Sequence, residues 1–148
     1  MTRNFFALLF LVSVTMGTSR ELAAQDWRPP SRNMPAMPQA SEVSTGWMSN
    51  NNDWFGSAAG AAGVSAESLR VSAEGRQEGG QAQVVRVTSG PLPVVVWQDR
   101  NGDGRSDLIE IFRSGGVIIQ VIDADYDGAA NVLRVYDSAG KLVSEDRL

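Results

Sequence analysis

The sequence predicts a mainly β fold: an antiparallel meander of three β-hairpins at a 24-residue repeat, joined by calcium-type loops and preceded by a flexible, disordered tether. Two observations carry this expectation. After Gly80 the chain becomes a series of β-branched runs separated by Gly-containing turns, the local signature of hairpins. Those runs also repeat: a step of 24 residues sets Asp99 on Asp123, Asp103 on Asp127, Gly104 on Gly128 and Ile111 on Val135. A fixed period of this size marks units that bury their apolar faces against their neighbours.

In chain order, Met1 to Asn4 carries one Arg, Phe5 to Met16 is apolar apart from Ser13 and Thr15, and small or polar residues follow. This pattern reads as a secretory signal peptide over residues 1–24, cleaved after Ser19 or after Ala24. The apolar run reaches only about 18 Å as a helix, too short to cross a bilayer. The expected address is therefore periplasmic or extracellular, with no membrane attachment once the signal is removed.

Residues 25–63 are rich in Pro, Ser, Asn, Ala and Gly without an apolar period, and are expected as a flexible tether. Trp27, Trp47, Trp54 and Phe55 interrupt it and are read as loosely ordered spacer residues, with packing onto the domain or docking of a partner as alternatives. Residues 64–148 form the expected hairpin domain. Ser65 to Glu74 fits a short helix or a strand equally well. The hairpins then pair 82–88 with 94–97, 108–112 with 117–122, and 132–136 with 141–144.

Composition removes several functions. The chain has no Cys and no His, which excludes disulfides, the commonest zinc ligand and any Ser-His-Asp or Cys-His catalysis. Net charge is −4 with basic residues scattered singly, unlike the basic face that nucleic acid requires. The chain is read as non-catalytic. A protein partner captured by the Trp-bearing tether is one alternative function. Self-association through an edge strand of the valine-rich first hairpin is a further expectation.

The loops carry the chemistry. Calcium takes six to eight oxygens at about 2.3–2.6 Å, most of which one backbone segment can supply. The first loop offers side-chain oxygens at Asp99, Asn101, Asp103 and Asp107, a backbone carbonyl at Arg105, and Gly104 for the sharp bend. Glu110 falls at the twelfth position, where an EF-hand loop places a bidentate carboxylate. The second loop offers Asp123, Asp125, Asp127 and Asn131, with Arg134 at the position of Glu110, and is expected to bind more weakly. Magnesium suits such a loop less well, because it keeps its waters and needs few protein ligands.

The D-x-[DN]-x-D-G pattern resembles EF-hand loops and their relatives in thrombospondin type 3, FG-GAP and dockerin repeats. The segments DGRSDLIEIFRSGGVII and DGAANVLRVYDSAGKLV more closely resemble the tandem D-x-D-x-D-G repeats of secreted bacterial proteins, where a hairpin follows each loop. The resemblance covers Trp97 to Val143. It implies Ca2+ as the bound ion, an extracellular address and no particular reaction.

Overall fold

Seven strands form one antiparallel sheet in sequence order: β1 (Leu69–Arg76), β2 (Ala82–Ser89), β3 (Leu92–Gln98), β4 (Leu108–Arg113), β5 (Gly116–Ile122), β6 (Val132–Tyr136) and β7 (Leu142–Arg147). The structure, a computed structural model, describes residues 24–148. Apart from Ala24, the expected signal peptide lies outside them. The expected β meander is present, with β1 as an additional strand. The ambiguous segment before it resolves into a single 3₁₀ turn (Ala66–Ser68) followed by that strand.

Two-residue alternation explains why the sheet has one strongly apolar face. Pairing aligns Val85, Trp97, Ile109, Val121 and Leu133 in one row across β2 to β6, and Val87, Val95, Ile111, Ile119 and Val135 in the next. Every one of these side chains is at most 1% exposed. Burying each is worth roughly 1.5–3 kcal/mol, so the rows dominate the core. The register shifts fall at Val87/Thr88, Ile111/Phe112 and Val135/Tyr136, so the irregularity recurs at the sequence period. The turn between β4 and β5 places Ser114 at φ 52° and Gly115 at φ 84°, the two left-handed residues that a tight hairpin favours.

Residues 25–63 are not the flexible tether expected. They cover the apolar face. Helix α1 (Thr45–Asn50) leads into helix α2 (Asn52–Ala62), which packs on β3 and β4. Along α2, Trp54, Phe55, Ala58, Ala59, Ala61 and Ala62 are buried while Asp53, Gly56 and Gly60 face solvent, a helical period written mostly in alanine. Gly63 ends the helix in the left-handed conformation (φ 75°). Trp97 stacks on Phe55 (5.0 Å between centroids, 10° between planes) and meets Trp47 and Trp54 edge-on at 5.3 and 6.3 Å. Trp27 is buried too and donates its indole N–H to Ser57 Oγ (2.8 Å). These aromatic residues belong to the core and are neither spacers nor free docking groups.

Between Trp27 and α1, residues 32–40 run as an extended strap across the ends of three loops. Met34 N–H donates to Gly128 O and Arg32 O accepts from Ala130 N–H (2.9 and 2.7 Å). Met37 N–H and Pro35 O repeat this with Gly104 and Ser106 (2.8 and 3.0 Å), and Ala40 N–H and Pro38 O with Gly80 and Ala82 (3.0 and 2.9 Å). Three residues of strap thus answer 24 residues of sheet. Met34 and Met37 are buried beneath it.

The edge expectation also changes. The valine-rich strand β2 lies inside the sheet, paired on both sides. The true edges are β1, with Arg70, Glu74 and Arg76, and β7, with Glu145, Asp146 and Arg147. Charged residues on an edge oppose strand addition. No helix among the described residues is long and apolar enough to cross a membrane.

Because the strap belongs to the core, Met37→Ala should lower stability by about 2–4 kcal/mol, as for other buried methionines. Urea unfolding measures this, and a wild-type midpoint would return the segment to a dispensable tether.

Candidate metal centre

The first acidic loop spans Asp99 to Asp107 between β3 and β4. Its base is closed by Asp107 N–H donating to Gln98 O (2.7 Å) and Asp99 N–H to Gln83 O (2.9 Å). Both terminal aspartates are 1% exposed. Asp99 Oδ1 accepts from Gly102 N–H (2.7 Å), and its Oδ2 accepts from Gly104 N–H (2.8 Å) and Gln77 Nε2 (2.7 Å). Gly102 and Gly104 have φ of 81° and 84°, so glycine at both removes the cost of aiming these N–H groups inward.

Asp107 is satisfied on one side only. Its Oδ2 accepts from Arg100 N–H (2.5 Å) and Asn101 N–H (3.2 Å). Its Oδ1 is buried and meets no hydrogen-bond donor. At the rim, Asn101 Oδ1 accepts from Asp103 N–H (3.1 Å), Asn101 Nδ2 donates to Asp103 Oδ2 (3.0 Å), and Asp103 Oδ1 accepts from Arg105 N–H (2.8 Å). One carboxylate oxygen from each of Asp99, Asp103 and Asp107 lies within 4.8 Å of the others. Burial pushes the Asp107 carboxyl above its ordinary pKa; the N–H groups of Arg100 and Asn101 pull it down, and the charges of Asp99 and Asp103 add to the rise.

The second loop, Asp123 to Asn131, follows the same path one period later. Asp123 Oδ1 accepts from Tyr126 N–H and its Oδ2 from Gly128 N–H, both at 2.8 Å. Tyr126 takes the place of Gly102 and keeps the positive φ, at 62°. Arg100 reaches over its ring (5.8 Å to the centroid), joining the two loops. Asp127 Oδ1 accepts from Ala129 N–H (2.8 Å). Asn131 Oδ1 accepts from Ala124 N–H (2.9 Å) and its Nδ2 donates to Asp125 Oδ1 (2.7 Å). Oxygens of Asp123, Asp125 and Asp127 also converge within 4.8 Å, with only Asp123 buried.

Of the expected ligands, Asp99, Asn101, Asp103 and Asp107 are brought together in the first loop, and Asp123, Asp125, Asp127 and Asn131 in the second. Glu110 is not brought to the first. It lies on β4 opposite Gln120, whose Nε2 donates to Glu110 Oε1 (2.8 Å). The twelfth position returns to the ion when a helix follows the loop; on a strand, Glu110 is directed across the sheet. Arg105 remains in the loop, and its guanidinium donates to Met34 O (3.3 Å) on the strap. Sequence reasoning missed Gln77, the outer partner of Asp99. Its only signal was that Gln77 falls one period before Asn101.

No family model, curated protein or solved structure matches this chain. Its functional reading rests on the geometry of the loops.

The raised Asp107 pKa has a definite sign. Folded, metal-free protein holds this proton more tightly than the unfolded chain. The stability Asp107 contributes is therefore complete below its unfolded pKa and is lost as pH rises through the folded value. In chelator, urea unfolding should show Asp107→Asn losing less stability than wild type from acid to neutral pH; parallel profiles would refute the assignment.

Proposed function

We propose that the chain is a calcium-binding β-module that acts outside the cytoplasm in a structural or interaction role and not as a catalyst. The observation that carries this is Asp107 Oδ1, a buried carboxylate oxygen without a donor inside a cluster of three carboxylates. An unpaired buried charge costs several kcal/mol, and a cation among the carboxylates offsets that cost. Asp99, Asn101, Asp103 and Asp107 would hold the ion in the first loop, and Asp123, Asp125 and Asp127 are the corresponding groups of the second.

Calcium fits this donor set better than magnesium, because a flexible loop of carboxylate and amide oxygens suits a large, irregular coordination shell. The resemblance to secreted D-x-D-x-D-G repeats and the signal-like N-terminus support an extracellular address. Modules there bind calcium with Kd on the order of 10⁻⁴–10⁻³ M, suitable for a resident ion where calcium is abundant. The absence of Cys and His, and the engagement of all three buried loop aspartates, Asp99, Asp107 and Asp123, by backbone N–H groups, support a non-catalytic role.

The ion stabilises the fold by mass action, by about 2.7 kcal/mol at a hundredfold excess over Kd. Calcium at about 10 mM, roughly ten- to a hundredfold over that Kd range, should therefore raise Tm by several degrees over chelator, with a smaller rise in magnesium. No shift, together with no calorimetric binding heat, would reject the proposal.

A further inference from the structure

The two loops contain the same two groups in exchanged positions. The first has an amide at the rim (Asn101) and a carboxylate at the base (Asp107); the second has a carboxylate at the rim (Asp125) and an amide at the base (Asn131). The base residue has the same first duty in both, accepting the N–H of Arg100 or of Ala124 with one oxygen. What remains differs. Asn131 has an N–H₂ left over, and it donates to Asp125 Oδ1 at 2.7 Å. Asp107 has a second oxygen left over, buried and without a donor. The amide of the first loop is turned to Asp103 at the rim.

From this we infer that the exchanged carboxylate–amide pair decides occupancy: the first loop takes one calcium ion, and the second is closed by its own amide and takes none. The inference rests on the calcium reading and deepens it. In the second loop the Asn131 amide supplies the electropositive contact that a cation supplies in the first. Aspartate count does not distinguish them, since each loop carries three, and the two arginines of the first reach away to the Tyr126 ring (Arg100) and to Met34 O (Arg105). Burial does, because the first loop buries Asp99 and Asp107 whereas the second buries Asp123 alone. Two buried carboxylates, one of them half unsatisfied, need a counter-cation; one buried carboxylate accepting two backbone N–H groups does not.

The test exchanges the pair without changing charge. Calorimetric titration with calcium should give one ion for wild type and none for the Asn101→Asp/Asp107→Asn double variant, with affinity reduced at least about tenfold. That variant should also show a higher Tm than wild type in chelator, where no ion contributes. The opposite exchange, Asp125→Asn/Asn131→Asp, should give two ions. Circular dichroism checks that each variant is folded, and either exchange alone suffices should the other misfold. Two ions in wild type, or one ion retained at full affinity after the first exchange, would overturn this inference and leave the calcium reading standing. No binding in wild type would overturn the calcium reading itself.

Discussion

The strap and the sheet share a length. Loops on the same end of a meander are separated by two strands, about 9.6 Å at the usual strand spacing. Three residues of extended chain cover about the same distance. Residues 32–40 can therefore offer one N–H and one C=O to each of three successive loops without stretching or slack. The prolines fit this rhythm. Pro35 and Pro38 occupy positions where only the carbonyl is used, so the missing N–H carries no penalty. Closure of the core, placement of α1 and α2, and the shape of both acidic loops all depend on this match.

The candidate ion site is tied to the same contacts. Gly104 donates its N–H to Asp99 Oδ2 and offers its C=O to Met37 on the strap. Gly128 repeats this between Asp123 and Met34. One peptide unit on either side of each glycine thus joins carboxylate to strap. The first aspartate of each loop shapes the backbone through its own hydrogen bonds. The distinction between the loops then lies with the residues at their bases, Asp107 and Asn131, and the hydrogen-bonding capacity each has left after serving the backbone.

The meander could be read because strand alternation is local: Val85 and Val87, or Ile109 and Ile111, announce their shared face within three residues. The covering layer could not be read in the same way. Alanine at positions 58, 59, 61 and 62 has no strong hydrophobic signature by itself, and its value is that it lets α2 approach the sheet closely. Trp47 and Trp54 looked isolated because their partner, Trp97, lies far along the chain on β3. Glu110 matched the ion-loop pattern by its spacing alone, but on strand β4 its neighbour is Gln120, the residue opposite, and not the loop.

The sequence by itself determined strands β2 to β7, the period of their residues, and the acids and glycines that shape the two loops, since each depends on residues close in the chain. Only the tertiary structure decided that residues 25–63 cover one side of the core, that Gln77 holds Asp99, and that Asp107 keeps an unanswered oxygen. Those outcomes depend on which groups meet across the fold and how much water is excluded when they do. A linear pattern of residue types specifies neither.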